Sequence, residues 1–343
     1  MRLIMAGKPA EVKMLGIAFG TRPEFLKLKP VIEKFKGKIP FKIIFTGQHE
    51  HLIGDLDYDV VCLQITDGIN RLDSVVSSLM NLECLDDLDF IMIQGDTTSV
   101  LAMALAAFHR KIKVIHLEAG LRTYDFENPY PEEMNRQLVS RIADIHLCPT
   151  KLDKENLLNE QVRGEIHVVG NTVLDNLVDL VPSYSDEILI TMHRRENHQI
   201  IPEWFSEFEK LADENSQLEF VFISHPNPNV QAHLHRLKKV KVISPLPHEQ
   251  LIEKLNTCRF IITDSGGLQE ESCFLNKRSI VCRQKTERKA GVGIWSTLCG
   301  KPFQLREVFK KIEASYKINP NLKCPYGDGH AAEKIYDILK EVL

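Results

Sequence analysis

The residues of this chain best able to do chemistry are acids placed where strands should end. Asp96 lies in Ile93-Gln94-Gly95-Asp96-Thr97-Thr98-Ser99, directly after the near-continuously apolar run Phe90–Gln94. Glu118 lies in His116-Leu117-Glu118-Ala119-Gly120-Leu121-Arg122-Thr123, at the end of another apolar run. A carboxylate there costs free energy unless it is paired or used, and Arg122 is the obvious partner for a plain ion pair. Glu132 and Glu133 follow the prolines of Asn128-Pro129-Tyr130-Pro131, which stiffen a loop leading to a helix N-terminus. Each acid has an ordinary alternative role. Asp, Ser and Thr are preferred helix caps, and acids suit the first turn of a helix. The trio tips the balance, because Asp96, Glu118 and Glu132 can meet at one sheet edge. Clustered carboxylates repel, so one pKa should rise, which supplies both a base and an acid near neutrality.

A second set of residues suits phosphate. In Phe19-Gly20-Thr21-Arg22-Pro23-Glu24 a strand turns into a helix, and Arg22 and Lys27 fall near its N-terminus, where anions are favoured. His193, Arg194 and Arg195 follow the run Ile188–Thr191. An arginine pair suits a diphosphate, and a histidine suits proton transfer near pH 7. His225 stands in another strand-end loop, Ile223-Ser224-His225-Pro226. In Thr263-Asp264-Ser265-Gly266-Gly267-Leu268-Gln269-Glu270-Glu271, Ser265, Gly266 and Gly267 lead into a helix. Paired glycines let a ligand approach the backbone, whose free N–H groups can face a phosphate, while Glu271 can take both hydroxyls of a ribose. The chain has neither a G-x-G-x-x-G fingerprint nor a phosphate loop of the G-x-x-x-x-G-K type. His49-Glu50-His51 and His233-Leu234-His235 lack further ligands at zinc spacing, so no metal is expected.

These motifs need strands and helices to carry them. Apolar runs predict strands at Lys13–Phe19, Phe41–Thr46, Phe90–Gln94, Lys113–Leu117, Ile145–Cys148, Ile166–Val169, Ile188–Thr191, Glu219–Ile223, Lys241–Ile243, Phe260–Thr263 and Ser279–Val281. Between them, amphipathic stretches predict helices at Glu24–Phe35, Thr98–His109, Glu132–Arg141, Glu203–Ala212, His248–Asn256 and Gly267–Phe274. This alternation predicts an α/β protein with parallel sheets covered on both faces. The strands are too many for one open sheet, and a break falls near Val169–Pro182. The expectation is two doubly wound domains facing a cleft, at 1–170 and 171–327, with the ligand beyond the carboxyl ends of the strands. A last helix within 328–343 carries a stripe of Ile335, Ile338, Leu339 and Leu343 that should pack back on the first domain.

Composition narrows the function classes. The chain has 343 residues and a net charge of −4, without the basic domain that nucleic-acid binding requires. Its longest apolar stretch, Val100–Phe108, is far short of the ~20 residues of a membrane span, and the first residues hold no secretory apolar core. The eight cysteines are scattered without a C-x-x-C pair, which reads as reduced thiols in a cytoplasmic protein.

Taken in order along the chain, the motifs resemble the non-hydrolysing UDP-N-acetylglucosamine 2-epimerase family. The matching segments are FGTRPE at 19–24, TGQH at 46–49, GDTT at 95–98, EAGLRT at 118–123, PEEMNR at 131–136 and GNTVLDNL at 170–177. They continue with HRREN at 193–197, HPNPNV at 225–230, DSGGLQEE at 264–271, TER at 286–288 and PYGDG at 325–329. The resemblance implies two Rossmann-like domains in the GT-B arrangement and inversion at C2 of a UDP-linked 2-acetamido sugar. The family route is anti elimination of UDP to a 2-acetamidoglucal, followed by re-addition, without cofactor or metal. It implies acid–base roles for Asp96, Glu118 and Glu132, with His193 near the diphosphate. UDP contacts would fall on Arg22, Lys27, Arg194, His225, Ser265, Gly266, Gly267, Glu271 and Arg288. A homodimer is implied as well. The chain departs from the family at Glu50, at Ser77-Ser78 and in a shortened stretch between Leu52 and Leu72, positions of the family's second, allosteric site. Leu251 stands where the family has an aromatic residue near uracil, and Lys289-Ala290 replaces a common Pro-Glu. UDP-GlcNAc is the leading substrate. The alternatives are a 6-deoxy UDP-acetamido sugar, a hydrolysing epimerase and a non-catalytic UDP-sugar sensor.

Overall fold

The computed structural model describes residues 13–46, 60–62, 71–80 and 82–343. The motif at His49-Glu50-His51 and most of the stretch between Leu52 and Leu72 lie outside the described residues. Apolar and β-branched runs give β1 (Leu15–Phe19), β2 (Phe41–Phe45), β3 (Val60–Cys62), β4 (Phe90–Gln94), β5 (Lys113–Leu117), β6 (Ile145–Cys148) and β7 (Glu165–Val168). They pair in parallel in the order β3-β2-β1-β4-β5-β6-β7. A second parallel sheet holds β8 (Glu187–Thr191), β9 (Glu219–Ile223), β10 (Lys241–Ile243), β11 (Phe260–Thr263), β12 (Ser279–Val281) and β13 (Ser296–Leu298), in the order β10-β9-β8-β11-β12-β13. Strand order reverses at β1/β4 in one sheet and at β8/β11 in the other. At such a switch point neighbouring crossovers run to opposite faces and leave a crevice beyond the strand ends.

The helices are α1 (Arg22–Phe35), α2 (Arg71–Met80), α3 (Thr98–His109), α4 (Glu132–Ile142), α5 (Lys151–Asn159), α6 (Ile201–Glu214), α7 (Pro228–Gln231), α8 (His248–Thr257), α9 (Gly266–Phe274), α10 (Leu305–Glu313) and α11 (Ala331–Leu339). One face of the first sheet packs Ile17, Ile43 and Phe90 against Leu28, Ile32 and Phe35 of α1. Ile335 and Leu339 of α11 join that same core, so the C-terminal helix returns to the first sheet. The opposite face packs Ile91, Ile93 and Val114 against Ala102, Met103 and Ala106 of α3 and Val139 of α4. Both faces being covered explains why β4 is buried along its whole length. The second sheet is covered likewise, with Trp204, Phe205 and Phe208 of α6 on one side and Leu268 and Cys273 of α9 on the other.

Six elements fall outside the sequence expectation: β3, β13, α2, α5, α7 and α10. β13 is a short, polar edge strand, Ser296-Thr297-Leu298, recognisable only from its pairing with β12. α5 has no apolar stripe to betray it and is instead started by a capping box between Thr150 and Asp153. α10 does carry a stripe, with Leu305, Phe309 and Ile312 buried at helical spacing. Among the described residues no helix is long and apolar enough to cross a membrane.

Candidate active site

The two switch points face each other across a cavity of about 580 Å³. It is lined by Arg22, Lys27, Asp96, Glu118 and Glu132 from the first half of the chain, and by His193, Arg194, His225, Ser265, Gly267, Glu271 and Arg288 from the second. Of the catalytic and substrate-binding residues assigned from the sequence, all line it except Gly266; Arg195, the second half of the arginine pair, is exposed and does not line it. That glycine lies behind the wall, where an added Cβ would come 2.7 Å from Arg288 Nη1 and 3.0 Å from Glu287 Oε1. A Cβ on Gly267, by contrast, would meet nothing within 4 Å, so this backbone is open to the cavity.

In the turn after β1, two backbone donors are taken up by a neighbouring acid. Thr21 and Glu24 form a capping box, and the Glu24 carboxylate accepts the N–H groups of Gly20 at 2.6 Å and Thr21 at 3.0 Å. It also accepts from Thr97 Oγ1 at 2.9 Å, which ties this turn to the one after β4. The N–H groups of Gly20 and Thr21 are thus satisfied internally, and α1 offers the cavity its side chains Arg22 and Lys27.

Asp96 does not cap α3; Thr97 does, accepting from Val100 N. Asp96 instead receives Arg136 Nε at 2.8 Å and Nη2 at 2.7 Å. Burial alone would raise its pKa, but the Arg136 and Arg288 guanidiniums outweigh burial and hold it below the usual carboxylate range. Glu133, fully buried, accepts Thr123 N at 2.9 Å, Tyr124 N at 3.0 Å and Arg136 Nη1 at 2.9 Å, and so fixes the guanidinium that grips Asp96.

Glu118 follows β5 with φ 66°, a left-handed conformation uncommon outside glycine. Arg122 is not its partner. Arg122 is buried against Glu160, with Nε at 2.7 Å and Nη2 at 2.9 Å, because the chain after Gly120 turns toward α5. Glu118 is held by Lys27, at 2.6 and 2.7 Å, by Arg288 Nη2 at 2.9 Å and by the amide of Gln94. Glu132, at the start of α4, has the opposite surroundings. Its Oε2 is buried without a hydrogen-bond partner. Burial first, and the Asp96 charge second, push its pKa up. The expected contrast within the trio is therefore present: one carboxyl raised and one lowered.

On the opposite wall, the fully buried Asp264 organises the loop after β8. It accepts His193 N at 3.1 Å, Arg194 N at 2.9 Å and Asn197 Nδ2 at 3.0 Å. The His193 and His225 rings stack 4.8 Å apart. Burial pushes His193 down to about 4, so its imidazole is neutral near pH 7. Arg194 Nε is buried without a hydrogen-bond partner. Glu271 accepts from His248 Nε2 at 2.7 Å.

Sequence reasoning did not single out Arg136, Glu287, Gln94 and His248, all of which line the cavity. Glu287 is buried among Arg283 at 3.1 Å, Arg136 at 4.0 Å and Arg288, and these guanidiniums overcome burial and hold its carboxyl well below the usual range. Arg136 and Glu287 lie inside the quoted segments PEEMNR and TER, which is the only sequence signal they give.

The profile of the family described as UDP-N-acetylglucosamine 2-epimerase matches residues 34–340. The UDP-N-acetylglucosamine 2-epimerase of Campylobacter jejuni is 35% identical, with 96% of this chain and 97% of that protein covered. That of Escherichia coli K12 is 33% identical over 94% of this chain and 97% of its own length. Among solved structures, the UDP-GlcNAc 2-epimerase of Neisseria meningitidis bound to UDP-GlcNAc superposes with a TM-score of 0.85 at 31% identity, covering 96% of this chain and all (100%) of that one. The enzyme of Methanocaldococcus jannaschii in complex with UDP-GlcNAc and UDP gives 0.79 at 31% identity, with 96% and 99% covered. With its two doubly wound halves in a GT-B-like arrangement and these relatives along nearly its whole length, the chain belongs to the UDP-N-acetylglucosamine 2-epimerase family of isomerases.

Proposed function

We propose that this protein inverts C2 of UDP-GlcNAc, giving UDP-ManNAc, by anti elimination and re-addition of UDP. The observation that carries the reading is one cavity with Asp96, Glu118 and Glu132 on one wall and Ser265 with the open backbone of Gly267 on the other. The C2 proton is weakly acidic, so its removal needs a placed base and a stabilised leaving group together. Asp96, held ionised by Arg136, suits proton removal. Glu132, whose raised pKa keeps a proton within reach, suits proton return. Lys27, Arg288, Arg22 and Arg194 converge on the space for the diphosphate, beside the neutral His193 and His225 and the turn from Ser265 to Gly267. In this reading Gly266 acts from behind, by leaving room for Arg288. Glu271 faces the ribose once His248 shares it, and Leu251 packs near the base. The division into 1–170, 171–327 and a returning helix within 328–343, a cytoplasmic location and a homodimer belong to the same reading. Seven free cysteines among the described residues support a reducing compartment.

The test is incubation with UDP-GlcNAc in deuterated water, followed by NMR. Deuterium at C2 of a sugar still attached to UDP is expected. Free ManNAc would replace this reading with hydrolysis, and absence of exchange would refute it for this substrate.

A further inference from the structure

Two of the four cations that the proposed function assigns to the diphosphate, Lys27 and Arg288, are already engaged. Lys27 Nζ lies 2.6 and 2.7 Å from the two Glu118 oxygens, and Arg288 Nη2 lies 2.9 Å from Oε1. Side-chain exposure is 13% for Lys27 and 7% for each of the other two, so solvent and salt screen these pairs weakly. Gln94 adds a donor to Oε2. The left-handed φ of 66° at Glu118 is a costly backbone setting that the surrounding fold imposes, so the aim of this carboxylate is set by its tertiary surroundings. Arg288 is neutralised further by Glu287, which holds its Nη1, and by Glu270, whose Oε1 lies 3.5 Å from its Nε without a hydrogen bond. A diphosphate entering beside the Glu118 carboxylate would meet Lys27 and Arg288 already paired and a like charge at close range.

We propose that Glu118 is a resident competitor for the diphosphate: its carboxylate occupies Lys27 and Arg288 in the ligand-free protein, must yield them when UDP enters, and thereby weakens UDP binding. This rests on the reading that the cleft takes a UDP-sugar, and it adds an energetic role for Glu118. A site that holds the ground-state diphosphate loosely retains more stabilisation for the moment when charge develops on the leaving group. It also keeps free UDP from saturating the cleft.

Calorimetric titration of UDP and of uridine into the purified full-length chain tests this. Glu118→Gln and Glu118→Ala are expected to bind UDP about tenfold tighter than wild type, within the usual range of coupling between sites. Glu118→Asp, which keeps the charge, should stay near wild type. Uridine, which lacks phosphates, should bind all four proteins alike. Unchanged or weaker UDP binding by both neutral variants would overturn the competition, as would an equal gain for uridine. The alanine variant stands in if the glutamine variant does not fold, and thermal melting reports folding for each. If wild type binds no UDP, the functional reading fails and this inference with it. If wild type binds UDP and the neutral variants gain nothing, the competition alone fails.

Discussion

Arg136 Nη2 stands 2.7 Å from Asp96 Oδ2, so a residue of α4 fixes the charge of an acid in the turn that follows β4. The same guanidinium meets Glu133 at 2.9 Å and Glu287 at 4.0 Å, which links the first half of the chain to the second. Burial alone would raise the Asp96 pKa, and the guanidinium instead holds it below the usual carboxylate range.

Asp96→Asn should keep the shape and lose the base. C2 exchange is expected to drop by about 10²–10⁴-fold, the usual contribution of a placed proton-transfer group, with UDP affinity retained. Deuterium incorporation read by NMR decides, and exchange at the wild-type rate would remove Asp96 from the proposed chemistry.

The pH profile should carry the mark of Glu132. Its pKa is raised by burial and by Asp96, so its proton is lost only above the usual carboxylate range. If that proton is needed, kcat/KM falls as pH rises through the raised value, while Asp96, with a lowered pKa, sets the acid side. In Glu132→Gln the alkaline limb should vanish along with most activity. A limb that persists unchanged in the residual activity assigns it to another group.

Glu133→Ala should destabilise the fold rather than act on the chemistry directly. It strips Thr123 N, Tyr124 N and Arg136 of a fully buried acceptor. Breaking one side of a buried pair costs about 3–5 kcal/mol, readable by denaturant titration. A loss below about 1 kcal/mol, the range of a surface pair, would show that water replaces the carboxylate.

Gly266→Ala and Gly267→Ala should part company. The first places a methyl 2.7 Å from Arg288 Nη1 and must displace that guanidinium, so UDP affinity falls. The second finds no protein atom within 4 Å and folds normally; any loss of UDP affinity there reports the ligand's own approach to the backbone. Equal UDP affinity in wild type and Gly266→Ala would show that Arg288 does not touch the diphosphate.

Acid should destabilise the fold through His116. Burial pushes its pKa to about 4 from an ordinary 6.5, and Nε2 bonds Gly95 O at 2.8 Å. The depressed value means that the unfolded chain takes the proton first. Stability is therefore full above about 6.5 and declines toward about 4, by about 3 kcal/mol for this group. His116→Gln should flatten the slope of stability between pH 7 and 4.5. An identical slope would place the acid sensitivity elsewhere.

The sequence by itself determined the βα rhythm, the two-sheet division and most of the cavity wall, because each rests on local signals. Apolar runs such as Phe90–Gln94 mark covered strands, and acids or glycines right after them mark strand ends. It did not reveal β13 or α5, whose existence depends on an edge pairing and on a cap rather than on apolar periodicity. Only the tertiary structure decided how charges pair. Arg122 sits four residues from Glu118 yet turns to Glu160, while Lys27 and Arg288, 91 and 170 residues away, hold that carboxylate. Proximity in a doubly wound fold is set by which strand ends adjoin the switch point, and strands adjacent there are far apart in the chain. The protonation of each acid follows from those distant neighbours and from burial, and neither is written in the local sequence around it.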